Sequence, residues 1–84
     1  MKTATATAIR IAGSDDFIRS RQRWGSGDYL QTAPSGGGIK IFASQRSALV
    51  WINRYSASIL PPVWGRITLR EAADRGLLEV ISVN

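Results

Sequence analysis

Along residues 3–12, threonine and isoleucine alternate strictly with alanine and arginine, which is the period of two expected of a β-strand. Ser14 follows where a helix N-cap belongs, and two aspartates come next, where a helix dipole favours negative charge. Phe17 and Ile18 then begin an apolar face at helical spacing. The pattern predicts a first strand over residues 3–12 and a short helix from about Asp15 to Arg23.

The middle of the chain predicts a hairpin followed by a longer helix. Asp28–Thr32 has strand composition, Ala33–Gly38 is a loop rich in glycine, and Ile39–Ala43 is predicted to be the returning strand. Ser44 is a second candidate N-cap, and apolar residues recur at helical spacing after it. A helix is therefore expected from Gln45 to about Ser58.

The last third of the chain contains the clearest local signals. Val63–Arg66 is predicted to be a short extended piece. Thr68 and Glu71 fit a capping box, in which each side chain satisfies a free backbone donor of the other residue. Gly76 is a natural left-handed stop, and Leu77–Val83 is rich in branched residues. We expect a two-turn helix and then a closing strand.

These elements together predict the fold class. Their order is strand, helix, strand, strand, helix, short helix and strand. This order contains the split β-α-β arrangement of ferredoxin-like folds, with one extra short helix before the last strand. We therefore expect an α+β fold, a single small two-layer sandwich in which residues 1–84 form one domain.

The composition restricts the chemistry. Histidine and cysteine are both absent, which excludes catalytic Cys–His and Ser–His–Asp arrangements, imidazole or thiolate metal sites, and disulfides. The remaining acids fall mainly in predicted first helical turns, where capping explains them without catalysis. We predict a protein that is not an enzyme and needs no cofactor or metal. The carboxylates considered are Asp15, Asp16, Asp28, Glu71, Asp74 and Glu79.

Charge and apolar runs suggest where the protein acts. Eleven basic residues against six acidic ones leave a net charge of +5, and nine of the eleven are arginine, which binds phosphates and carboxylates through two parallel hydrogen bonds. This sign excludes a protein that imitates DNA with displayed carboxylates, although a solubilising role explains +5 equally well. The beginning of the chain lacks the apolar core of a secretory signal, and no stretch is apolar for the length of a membrane span. A cytoplasmic protein without membrane contact is expected.

Arginine and tryptophan form the candidate partner-binding set. Guanidinium groups beside an aromatic ring suit phosphate contact with base stacking, and both residue types are also enriched in protein interfaces. The competing interpretation is a solvated helix face with Trp24 packed inside. Arg10 and Lys40 are candidates for addition to the set. The predicted binding residues are Arg19, Arg21, Arg23, Trp24, Arg46, Arg54 and Trp64.

Three functions fit these observations. The leading hypothesis is a non-catalytic protein that occludes a larger protein or ribonucleoprotein complex. Small inhibitors made by phages and mobile elements, including those that block CRISPR-type defence complexes, have this size and style. The first alternative is direct binding of DNA or RNA through the arginine and tryptophan residues. The second is a structural or assembly subunit. The sequence does not predict the oligomeric state.

Overall fold

Four antiparallel strands form one open sheet in the computed structural model, which describes residues 6–25 and 27–83. The strands are β1 (Ala6–Ile11), β2 (Phe17–Trp24), β3 (Gly27–Ala33) and β4 (Leu78–Val83). Their order across the sheet is β3-β2-β1-β4. Two helices, α1 (Gln45–Arg54) and α2 (Leu69–Asp74), and a 3₁₀ turn at Pro62–Trp64 complete the described structure.

The first and last strands confirm the predictions for both ends of the described chain. β1 pairs with β4 along its whole length, from Ala6 opposite Val83 to Ile11 opposite Leu78. Ile9 and Ile11 are buried in the core, because alternation turns them to the face that the helices cover. The predicted beginning of the first strand, residues 3–5, lies outside the described residues.

The prediction of a helix over Asp15–Arg23 is wrong, because this segment forms β2. Ser14 caps no helix; its hydroxyl donates to the carbonyl of Ile11 at 2.8 Å and accepts from the amide of Asp16 at 3.2 Å. These two bonds close a tight turn between β1 and β2, since a serine side chain can replace backbone partners locally. The turn returns the chain antiparallel to β1, with Arg10 opposite Phe17.

A β-bulge separates two parts of β2. Ile18 pairs with Thr32 and Ser20 with Gln31, so that Arg19 is the extra residue of the bulged strand. The bulge shifts the alternation of β2 by one residue. Before it the even-numbered Ile18 faces the helices, and after it the odd-numbered Arg21 and Arg23 do so. β1 has already diverged at this point, so the rest of β2 and β3 form a hairpin that projects beyond β1.

The prediction of a returning strand at Ile39–Ala43 is also wrong, since only one isolated bridge forms there, between Thr7 and Phe42. The segment instead fills the gap where β1 and β2 diverge. Lys40 donates its amide to the carbonyl of Ile18 on β2 at 2.9 Å, and Phe42 exchanges two backbone hydrogen bonds with Thr7 on β1. The preceding glycine-rich loop is confirmed as a loop.

Both helices lie on one face of the sheet. α1 begins at its predicted cap, where the Ser44 hydroxyl accepts from the amide of Ser47, but it ends at Arg54, four residues before the predicted end. The residues after it, around Ile59, extend along β3. α2 begins at the predicted cap Thr68 and stops before Gly76, which has a φ of 71°. No helix in residues 6–25 and 27–83 has the length and apolar character needed to cross a bilayer.

The core lies between this helical layer and the sheet. Its fully buried large side chains include Ile9, Ile18, Leu60 and Leu69. The structure is therefore a mixed α+β arrangement of one open antiparallel sheet with two helices, as the fold class predicted in outline. The ferredoxin-like split and strand order are not confirmed, and a 3₁₀ turn replaces the predicted extended piece at Val63–Arg66.

Candidate binding surface

Three cations contact a row of aromatic rings between α1 and β2; we call this row the cation–aromatic strip. Its rings are Phe42, Trp51 and Tyr55, whose neighbouring centroids lie 5.7 and 5.2 Å apart. Its cations are Lys40, Arg21 and Arg54. α1 supplies Trp51, Arg54 and the ring of Tyr55 just past its end. Residues 39–43, which fill the gap where β1 and β2 diverge, supply Lys40 and Phe42.

Arg21 is the best-held cation of the strip. Its guanidinium carbon lies 4.2 Å from the centroid of the Tyr55 ring, and its Nη1 lies 3.1 Å from Oδ1 of Asp28. Arg54 approaches the same ring more loosely, at 5.6 Å. The electron-rich face of an aromatic ring attracts a cation most strongly at short distance, so Arg21 serves the structure as well as the surface. Arg54 is exposed and Lys40 is half-buried, and neither has an ion pair within the described residues, so their charged groups are available to a ligand.

Trp24 is exposed at the end of the projecting hairpin. Two thirds of the residue, 68%, is accessible to solvent. The interpretation of Trp24 as a core residue is therefore wrong. Arg23, its neighbour, has no ion pair within the described residues. We call Arg23, Trp24 and Gly25 the hairpin tip; Ser26 lies outside the described residues.

A ladder of polar side chains holds the indole of Trp24 in place. Trp24 Nε1 donates to Oε1 of Gln22 at 3.1 Å, and Nε2 of Gln31 donates to the same oxygen at 2.9 Å. Ser20 in turn donates to Oε1 of Gln31 at 2.9 Å. These side chains share the face of the hairpin opposite the helices, because residues two apart on a strand point the same way. The indole is thus partly oriented before any ligand arrives.

The structure does not bring the other predicted residues into one patch. Arg19, in the bulge, lines a cavity beside β3, and Arg46 is exposed in the first turn of α1. Trp64 is half-buried against the core, and its Nε1 is buried without a partner in the described residues. Arg10 lies on the face of the sheet away from the helices and forms a hydrogen-bonded ion pair with Glu79 at 2.9 Å.

Most carboxylates are engaged with arginine. Asp28 and Glu79 join Arg21 and Arg10, as described above. On α2 the pairs are looser: Asp74 lies 4.0 Å from Arg70, and Glu71 lies 3.8 Å from Arg75. No cluster of three potential metal ligands occurs among residues 6–25 and 27–83.

Sequence reasoning missed the aromatic half of the strip. Tyr55 joins Arg21 to Arg54, yet the sequence places it only within the longer helix predicted from Gln45 to about Ser58. The one available signal was the spacing of Trp51 and Tyr55, which places both rings on the same side of a helix. Nothing in the sequence indicated that β2 would lie beside them.

The geometry thus provides an exposed indole, the guanidinium of Arg23 on the other face of the same strand end and a strip of partly solvated cations, all suited to contact with an acidic surface. Comparison with protein-family models, with curated proteins and with solved structures finds no match to this chain.

Proposed function

We propose that this protein is a non-catalytic binding protein that occludes an acidic surface of a larger protein or ribonucleoprotein complex. The hairpin tip and the cation–aromatic strip would form the contact. An inhibitor of a host nucleic-acid-handling or defence complex, of the kind made by phages and mobile elements, belongs to this class and is the form of the proposal that we favour.

The exposure of Trp24 is the observation that carries the proposal. An indole is the largest apolar side chain, and leaving 68% of the residue in water forgoes the burial that a small core could use. Tryptophan and arginine dominate the residues that contribute most to protein interfaces. A partly oriented ring also loses less conformational freedom when it binds, which favours affinity.

Charge supports an acidic partner. Arg23 has no ion pair in the described structure, and the cations of the strip outnumber the single nearby carboxylate, Asp28. Docking of a carboxylate-rich or phosphate-rich surface would give Arg23 and Arg54 the partners that they lack. Such complementarity raises the association rate and suppresses wrong partners.

The test is affinity capture from a bacterial lysate with purified protein as bait, in nuclease-treated and untreated halves. Three baits are compared: the wild type, a Trp24→Ala variant and a Val63→Ala variant. Val63 is the matched control, because it is an apolar residue that is 78% exposed in a different part of the molecule. We expect a captured protein that survives nuclease treatment, is retained by Val63→Ala and is lost from Trp24→Ala.

Activity of the captured partner then tests occlusion. Addition of the wild-type protein should abolish that activity at an equimolar ratio while the mass of the partner stays unchanged. Equal capture by Trp24→Ala and wild type would contradict the proposed surface. A covalent change of the partner at substoichiometric amounts would show that the protein is an enzyme.

Direct binding of nucleic acid is the second candidate, favoured by the exposed indole of Trp24 together with Arg23, which precedes it in the strand and has no ion pair in the described residues. Aromatic side chains stack on bases, and adjacent cations contact phosphates. Lys40, Arg54 and Arg23 neutralising three phosphates would make log affinity fall with log salt at a slope of roughly −2 to −3. Fluorescence anisotropy with single-stranded, duplex and RNA probes measures that slope, and absence of binding tighter than about 100 μM near 50 mM salt would exclude this function.

A further inference from the structure

The outer edge of β3 is only half covered. Residues 58–60 run parallel to it: the amide of Leu30 donates to the carbonyl of Ile59 at 2.8 Å, and the amide of Ile59 donates to the carbonyl of Asp28 at 2.9 Å. In a parallel ladder the next bond would join the amide of residue 61 to the carbonyl of Leu30. Residue 61 is proline and has no N–H, so this ladder stops at Leu60.

Backbone groups of β3 beyond that point face the outer edge of the sheet. In an antiparallel pair, the amide and carbonyl of one residue point to the same side of the strand. Ile18, which pairs with Thr32, uses its carbonyl on the far side of β2, where it accepts from Lys40 at 2.9 Å. Thr32 therefore turns its amide and carbonyl to the outer edge. Within residues 6–25 and 27–83, neither these groups nor the carbonyl of Leu30 has a backbone partner on that side.

Two adjoining cavities lie along this edge. The first, about 450 Å³, is lined by Gln31 and Thr32 on the strand side, by Pro61 and Pro62 opposite, and by Arg19 from the bulge. The second, about 280 Å³, shares Pro62 with the first and is also lined by Arg66. Among the described residues, no carboxylate lines either cavity. Neither arginine has an ion pair in the described part of the chain.

Arg66 adds an independent sign of function. Its φ is 57°, and it is the only residue besides glycines with a positive φ in the described structure. A side chain with a Cβ is strained in this region, and such strain is commonly retained at binding sites. Gly65, directly before it, also has a positive φ, of 89°, but a glycine has no Cβ and is not strained there. Arg66 therefore occupies a position where glycine would be less strained.

From these observations we infer that the outer edge of β3 is a strand-addition site for an extended acidic peptide of a partner protein. The peptide backbone pairs with the free groups of Leu30 and Thr32, and acidic side chains reach Arg19 and Arg66. Main-chain hydrogen bonds supply affinity in this mode of recognition, and side-chain contacts supply specificity. The inference goes beyond the proposed function, because it uses the strand edge and needs neither Trp24 nor the cation–aromatic strip.

The experiment measures binding of a fluorescein-labelled ten-residue peptide of alternating glutamate and valine by anisotropy. The same peptide with every backbone nitrogen methylated, and one with lysine in place of glutamate, are the matched control ligands. We expect binding of the unmodified peptide and a loss of at least about tenfold for both controls, since each removes one half of the recognition. Equal binding of either control, or no binding up to about 1 mM, would overturn the inference.

Variants of the protein locate the site. Thr32→Pro removes the outward amide and should weaken binding at least about tenfold, whereas Thr32→Val keeps that amide and should bind within about twofold of wild type. Arg66→Gly should bind the peptide more weakly while its melting temperature stays equal or rises. Unchanged affinity in both Thr32→Pro and Arg66→Gly would place the peptide elsewhere. If Thr32→Pro fails to fold, as judged by circular dichroism, Arg66→Gly and the methylated peptide decide the question.

Analytical ultracentrifugation without peptide tests the other possible occupant of this edge, a second copy of this chain. We expect a monomer at concentrations used for anisotropy. A dimer that Thr32→Pro converts to monomer would show that the edge serves self-association, and would overturn the assignment to a partner peptide.

Discussion

Replacing Arg21 by alanine should destabilise the protein, although Arg21 lies on the surface. Its guanidinium is 4.2 Å from the Tyr55 centroid and 3.1 Å from Asp28. A cation–aromatic contact at a partly exposed site contributes about 0.5–1 kcal/mol, and an ion pair at such a site about 0.2–1 kcal/mol. Their sum predicts a loss in the free energy of unfolding of about 0.7–2 kcal/mol. For a domain of this size, the melting temperature should fall by roughly 3–16 °C.

Urea unfolding followed by circular dichroism measures this loss, with Arg23→Ala as the matched control. Arg23 follows two residues later on the same face of β2 and has no ion pair in the described structure, so its replacement should cost less than about 0.5 kcal/mol. A double-mutant cycle with Tyr55→Leu, which keeps the apolar volume, isolates the contact between guanidinium and ring. The expected coupling is about 0.5–1 kcal/mol.

Two results would refute this reasoning. Arg21→Ala and Arg23→Ala could unfold at the same urea concentration, or the coupling to Tyr55 could fall below about 0.3 kcal/mol, the level at which distant sites are additive. Either result would mean that the strip does not act as a structural unit. Arg21 would then belong with Arg23 as a residue available for a partner.

Two further substitutions test the core and the start of α2. Leu60 is 1% exposed, and its replacement by alanine should lower the free energy of unfolding by about 2–5 kcal/mol. The same change at Leu49, which is 52% exposed, should lower it by less than about 0.5 kcal/mol. Similar values for the two variants in thermal unfolding would contradict the described core. Thr68→Ala should lose about 1 kcal/mol, because the Thr68 hydroxyl accepts from the amide of Glu71 at 3.2 Å. Thr68→Ser should recover most of that loss, and a Thr68→Ser variant as unstable as Thr68→Ala would show that the hydroxyl is not the cause.

The elements that the sequence predicted well carry their signals locally. The hydroxyls of Thr68 and Ser44 each accept from an amide three residues ahead, as their spacing predicted. Gly76 adopts the left-handed geometry expected after a helix. Only one of the two hydrogen bonds of the capping box forms at α2, the one from the amide of Glu71 to the Thr68 hydroxyl. The Glu71 carboxylate accepts from the Thr68 hydroxyl at 3.4 Å instead of from the Thr68 amide. Such features need only a few neighbouring residues, so the chain sequence specifies them directly.

β2 could not be predicted in the same way, because its geometry depends on distant strands. The bulge at Arg19 shifts the alternation, and residues 20–23 of β2 beyond it are polar on both faces, so no period of two is visible. Arg19 and Arg23 also match the four-residue spacing of a helix, and arginine favours helices intrinsically. Pairing with β3 overrides that preference. The cation–aromatic strip was unpredictable for the same reason, since Lys40 and Arg21 meet its rings only once β2 is a strand.

The pairing of β1 with β4 determines when the molecule can complete its fold. The first described strand acquires its long partner only from the last one, so the edge between Ala6 and Ile11 stays open while the intervening residues are synthesised. Closure of the loop formed by residues 12–77 must precede this contact, which slows folding compared with a fold built from neighbours in sequence. A ribosome-bound chain that lacks β4 therefore presents an apolar strand ready for aggregation, and protection by a chaperone matters most in that interval.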